Sequence, residues 1–196
     1  IWNKEGTATV QSTNKIFGEN SFETTALGDS LYTNSNIITG GATPFTIEYY
    51  FLYKGKNTPG NNAWDAPIFT KYDGADQGNY FNSNTYNLSF YKSISAGGSA
   101  DTENANLVFG KTKLLPNTIN KVTMTYDSSA IRVFINDKLD NIIGSNGLST
   151  TNKPLRFLSR FDDVNSTNKT STTFGLIDNI NIHNGIATKV HDHDPY

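Results

Sequence analysis

The sequence predicts an all-β fold, a two-sheet antiparallel β-sandwich in one main domain. Three observations predict it. Apolar residues recur with a period of two along most of the chain, and Gly, Pro and Asn clusters punctuate the intervals. No amphipathic helix of three turns can be drawn anywhere. Composition points the same way: Thr, Asn and Ser make 65 of the 196 residues, with twelve Phe, ten Tyr and two Trp. A chain of this length buries roughly two-thirds of its extended surface, so its core needs no disulfide or metal staple.

The elements follow in order. A short strand is expected around Phe22 (residues 20–25) and another at Leu31-Tyr32. Phe45, Ile47, Tyr49 and Phe51 then share one side of a longer strand, opposite Thr46, Glu48, Tyr50 and Leu52. Further strands are expected at Ile68-Phe69, near Tyr80, at Tyr86 to Tyr91 and at Ala105 to Phe109. Val122, Met124 and Tyr126 form an inward row, with Thr123 and Thr125 outward. Past Asp127-Ser128-Ser129 the chain resumes with Ile131, Val133 and Ile135 inward. Asn136-Asp137 is the expected tight turn, because both residues tolerate positive φ, and Leu139 should re-enter the apolar layer. The closing strands are Leu155 to Ser159 and Phe174 to His183. About ten strands in one domain of this size call for two packed antiparallel sheets. The domain is expected to span 1–186, with 187–196 a connector or tail, and Trp2 should anchor the amino-terminal end.

Charge excludes several partner classes. Sixteen basic and eighteen acidic residues leave a net charge of −2, without a Lys or Arg run, so neither nucleic acid nor an anionic membrane is an expected partner. The absence of cysteine excludes thiol catalysis and Cys-type zinc sites. No stretch approaches about 18 consecutive apolar residues, so membrane insertion is not expected either. The chain begins at Ile1 rather than Met, as a fragment or processed product would.

Several segments resemble one family in the correct order. Phe45 to Tyr50 is similar to the FTIEFW strand of concanavalin-like/laminin-G-like jelly-roll domains. Val122 to Asp127 followed by Ile131 to Lys138 resembles that family's VAVTYDG…VRVYVNGK hairpin, and Gly175 to His183 its closing strand. Gly6 to Val10, Ile16 to Gly18, Ser21-Phe22 and Leu27 to Thr33 resemble the front of modules in bacteriophage and other virus structural proteins. The resemblance covers about residues 2 to 186 and implies the jelly-roll form of the sandwich. It also implies a virion or extracellular location.

Chemistry-bearing residues are few. Counting by twos places Asp178 in one row with Phe174, Leu176, Ile180 and Ile182, the row expected to be buried. A carboxylate there needs charge-assisted hydrogen bonds or a cation. One reading is a structural Ca²⁺ site with Asp29, since calcium takes about six to eight hard oxygens, and calcium sites occur in some members of the resembled family. The other is an Asp accepting backbone N–H bonds to pin a loop. Trp64 sits among Asn61, Asn62 and Asp65, with Tyr72, Tyr80 and Asn82 as expected neighbours. Rings stack on the C–H faces of sugars while amides and carboxylates bond the hydroxyls, so these residues form a candidate glycan site. The same Trp could instead close one edge of the core. Asp73 to Asn79 misses the calcium-loop pattern and is expected to be a turn, and His191 to Asp194 a linker.

Catalysis is not expected. Glycoside hydrolysis needs two carboxylates about 5–10 Å apart. The five glutamates, at 5, 19, 23, 48 and 103, do not form the E-x-D-x-E strand of the hydrolases that this fold resembles. The expected function is a non-catalytic carbohydrate or cell-surface recognition module of a larger protein. That parent would be a phage tail, another capsid-associated virion protein or an extracellular protein. The rival is an assembly or decoration module contacting other virion or adhesin subunits, and a polysaccharide hydrolase or lyase ranks third.

Overall fold

The computed structural model describes residues 1–33, 42–57, 67–72, 78–84, 87–92, 107–113, 117–144, 155–161 and 169–186. Side chains between 55 and 111 lie outside that description, as do several in the later strands. The expected connector, 187–196, lies outside the described residues, as does the expected turn at Asp73 to Asn79 except for Gly78 and Asn79, which belong to a strand.

The fold is an all-β antiparallel sandwich. Its described strands begin with β1 (Asn3–Glu5), β2 (Thr9–Gln11), β3 (Ser21–Thr24), β4 (Ser30–Thr33) and β5 (Phe45–Asn57). They continue with β6 (Pro67–Tyr72), β7 (Gly78–Asn84), β8 (Asn87–Lys92) and β9 (Leu107–Lys113). The last six are β10 (Ile119–Tyr126), β11 (Ala130–Ile135), β12 (Lys138–Gly144), β13 (Leu155–Phe157), β14 (Ser159–Phe161) and β15 (Lys169–Asn184). One sheet has the order β1-β4-β13-β6-β7-β8-β9. The other runs β12-β11-β10-β5-β15-β3-β2, with β14 also paired to β15.

The apolar rows form the core between these sheets. Val122, Met124 and Tyr126 of β10 face Tyr49, Ile47 and Phe45 of β5 on one side. On the other side they face Ile135, Val133 and Ile131 of β11. All nine are buried, as the period of two requires. Phe157 of the opposite sheet meets Tyr49 edge-on, ring centroids 5.4 Å apart, so the layers interlock through aromatic rings. Trp2 lies edge-on against the same Phe157 at 5.7 Å, which anchors the first residues as expected. Asn136 and Asp137 have φ of 52° and 64°, the left-handed pair that a two-residue hairpin needs.

Two expectations of facing are corrected. The two-residue turn pairs Ile135 with Lys138 and the outward Phe134 with Leu139, so Leu139 is 44% exposed rather than in the core. Asp140 is buried instead, and its Oδ1 accepts the Thr112 N–H of β9, joining the edges of the two sheets. In β15 an extra residue enters between Asp178 and Asn181, where Asn179 takes φ 49°. Ile177 therefore shares the core side with Ile180 and Ile182. Asp178 falls on the outer face, half-buried, and not in the apolar row. A third difference is one of degree. Thr46, Thr123 and Thr125 do point away from the core, yet all three are buried within that outer face.

Candidate functional site

The outer face of the larger sheet carries a compact set of side chains around Tyr50. On β10 and β15 the residues opposite Tyr50 are Lys121 and Asp178. The neighbouring rows are Thr123–Glu48–Asn181 and Ile119–Leu52–Leu176. An aromatic ring is thus flanked by polar groups toward one end of the strands and by aliphatic ones toward the other.

Phe17 completes this arrangement from the loop between β2 and β3. Its ring meets Tyr50 edge-on, centroids 4.6 Å apart, and is 42% exposed. The loop is held by a short relay. The Ile16 N–H donates to Ser21 Oγ at 2.7 Å, and the Ser21 hydroxyl donates to Asp178 Oδ2 at 2.8 Å. Asp178 Oδ2 also accepts the Phe17 N–H at 3.0 Å, while Oδ1 accepts the Asn179 N–H at 2.7 Å. The bulge is what turns Asp178 toward the loop. Asn tolerates the left-handed conformation that the bulge imposes, and Asn181 Nδ2 donates to the Asn179 carbonyl across it.

Charges on this face are mostly paired. Lys121 Nζ lies 3.0 Å from Glu48 Oε2 and 2.8 Å from Asp137 Oδ1. Burial pulls the Lys121 pKa down, but the two carboxylates outweigh it and hold the ammonium above the ordinary lysine range. Lys54 Nζ pairs with the buried Glu23 at 2.6 Å, and Arg132 pairs with Asp127.

The other expected site residues fall elsewhere. Asn62, Trp64 and Asp65 lie outside the described residues. Tyr72 ends β6, while Tyr80 and Asn82 belong to β7 of the opposite sheet. Tyr80 pairs with Thr70 and Asn82 with Pro67, so these backbones are neighbours there.

Asp29 and Asp178 are attached to opposite ends of β3, each with its own donors. Asp29 is fully buried and accepts the Thr7 N–H at 2.6 Å and the Thr7 hydroxyl at 3.0 Å on Oδ1. Its Oδ2 accepts the Thr25 and Ala26 N–H groups, both at 2.8 Å. Gly6, at φ 74°, packs so closely that a Cβ there would meet Asp29 Oδ1 at 2.5 Å. Both carboxylates thus pin loops. Among the described residues no group of three or more His, Asp or Glu is placed to hold a metal ion.

No protein-family model matches the chain, and no curated protein matches it. Solved structures do. Domain 4 of AbnA, an extracellular GH43 arabinanase from Geobacillus stearothermophilus solved with arabinotriose, is 15% identical with a TM-score of 0.63. That match covers 95% of this chain and 81% of the other. The receptor-binding domain of botulinum neurotoxin D is 13% identical with a TM-score of 0.65, over 98% of this chain and 46% of that one. A botulinum neurotoxin type C structure, described by the dependence of cell entry on two ganglioside molecules, is 14% identical with a TM-score of 0.62. It covers 97% of this chain and 45% of that one. The chain therefore spans a little under half of these toxin structures. At such identities the likeness is one of fold: this is the β-sandwich of those binding domains.

Sequence reasoning missed Phe17 and Lys121. The outward row of Glu48, Tyr50 and Leu52 was readable from its alternation, but no local signal shows that Phe17 lands on Tyr50.

Proposed function

We propose that this chain is a non-catalytic glycan-recognition module, reading carbohydrate for a larger extracellular or virion protein. The observation that carries the reading is the Phe17–Tyr50 pair, an exposed ring held from beneath and bordered by Lys121, Asp178 and Asn181. A sugar's C–H face stacks on such a ring, while its hydroxyls bond the adjacent amide and carboxylates. The arabinotriose complex of the arabinanase domain and the gangliosides of the type C neurotoxin support carbohydrate as the ligand class. Those two proteins support an extracellular setting, and the resemblance to phage modules supports a virion one. Glu5, Glu23 and Glu48 each sit in an ion pair, which suits structural carboxylates better than a catalytic couple. Asn62, Trp64 and Asp65 are proposed as a second contact region, together with Tyr72, Tyr80 and Asn82. Phe17→Ala should lower affinity for a bound glycan at least tenfold, as loss of a stacking hot spot does. Its melting temperature should barely move, because the ring is already 42% exposed. Binding unchanged in the folded variant would remove this platform from the site.

The assembly reading has its own observation. Val10 on β2, an edge strand of the larger sheet, is 61% exposed. Edge strands with outward apolar residues are pairing sites for another chain. Light scattering showing a stable oligomer that Val10→Lys dissociates would favour this reading.

A further inference from the structure

We infer that the Phe17–Tyr50 platform selects uncharged glycans over anionic ones, an inference that rests on the glycan reading. The carboxylates beside it are Glu48, Asp137 and Asp178, and the Phe17 loop itself carries Glu19. Against these four stand Lys121 and, in the loop, Lys15. On the sheet the ammonium groups are committed: Lys121 bridges Glu48 and Asp137, and Lys54 is bound to Glu23 at 2.6 Å. Arg132, the guanidinium on the same face, is held by Asp127. Sialic acid and sulfate groups are recognised through free guanidinium or ammonium donors, and a bidentate fork is the strongest of them. An anion entering here meets net negative charge, and the cations of the sheet are already paired.

The same chemistry favours neutral sugars. Each hydroxyl of a neutral glycan brings a donor, and carboxylates are pure acceptors. Glu48 and Asn181, opposite one another beside Tyr50, offer an acceptor and an amide within one cross-strand row. The apolar face of the sugar then lies toward the exposed Phe17 ring. Discrimination of this kind is electrostatic at a solvated surface, so it must weaken as salt shortens the screening length from about 30 Å at 0.01 M to 8 Å at 0.15 M.

The test is titration of the intact chain against matched glycan pairs. Suitable probes are lactose with 3′-sialyllactose, and arabinotriose and chitotriose against a heparin-derived oligosaccharide, each at 10 and 150 mM NaCl. The expected result is binding of a neutral member at least tenfold tighter than its anionic counterpart at 10 mM NaCl, with a smaller ratio at 150 mM. Glu48→Gln combined with Asp137→Asn should narrow the ratio further, in protein whose circular dichroism confirms folding. Equal or tighter binding of the anionic member overturns the inference and leaves the glycan reading standing. A folded protein that binds no member of the panel overturns both.

Discussion

The main-chain N–H of Phe17 donates to Oδ2 of Asp178 at 3.0 Å, tying a loop near the amino terminus to a strand 161 residues further along the chain. The bond makes the exposed Phe17 ring part of a fixed surface, because the same oxygen also takes the Ser21 hydroxyl at 2.8 Å. Removing Asp178 leaves the Phe17 and Ser21 donors without this partner. Asp178→Ala should therefore cost about 1–3 kcal/mol in denaturant unfolding, the usual penalty for orphaned donors at a partly buried site. Glycan affinity should fall with it, since the ring loses its tether. Full stability in the variant would show that the loop is held by other contacts.

A structural Ca²⁺ ion at Asp178 or Asp29 is a separate proposal with a direct consequence. Binding to the native state alone must raise the melting temperature with millimolar CaCl₂ and lower it with EDTA, by linkage. The ion would have to share each carboxylate with the donors already there, four in the case of Asp29. A melting temperature indifferent to both additions ends the proposal.

Val133 is 3% exposed and lies opposite Met124 in the middle of the inward row. Val133→Asp should destabilise by roughly 3 kcal/mol or more, through an unpaired carboxylate in the core. An unchanged denaturant midpoint would contradict the register.

Tyr49 presents the opposite case. Among the described residues its hydroxyl is buried without a hydrogen-bond partner, and burial pushes the phenol well above the ordinary tyrosine range. Tyr49→Phe removes that unmet polar atom and keeps the ring that packs on Phe157, so stability should hold or rise by up to about 1 kcal/mol. Tyr126→Phe is the control, because its hydroxyl donates to the Ser128 carbonyl at 3.3 Å and its loss should be mildly destabilising. A marked loss on Tyr49→Phe would reveal a buried water or another partner for the hydroxyl.

Asp127 sets an acid-side dependence. The Arg132 guanidinium, then the Ser129 hydroxyl and the Ser129 and Ala130 N–H groups, hold its carboxyl well below the usual aspartate range. A depressed folded-state pKa contributes stability above the unfolded value near 3.9 and loses it as pH falls through the folded one. Wild-type stability should thus decline below about pH 4. Asp127→Asn should be less stable at neutral pH and show a shallower decline in acid. Parallel pH profiles for the two proteins would contradict the assignment.

The hairpin shows how much was readable locally. Val122, Met124 and Tyr126, the Asn136-Asp137 turn, and Ile131, Val133 and Ile135 all occupy the positions that alternation and turn chemistry dictate. Leu139 and Asp178 do not: the two-residue turn itself sets Leu139 opposite the outward Phe134, and a bulge separates Asp178 from the row of Ile180 and Ile182. A bulge adds a residue without leaving a pattern in the sequence, and every later residue in the strand then changes face. Asn179 offered a slight signal, as a residue that tolerates positive φ within an otherwise apolar strand.

The sequence by itself determined the all-β class, the strand order along the chain and the composition of the core, because a side-chain period of two is a property of each strand alone. Only the tertiary structure decided that Phe17 rests on Tyr50, that Asp178 faces the loop beneath it, and that Lys121 is bracketed by Glu48 and Asp137. Those contacts join segments far apart in sequence. They depend on pairing register and bulge position, which the whole sandwich sets through non-local packing rather than through any one stretch of residues.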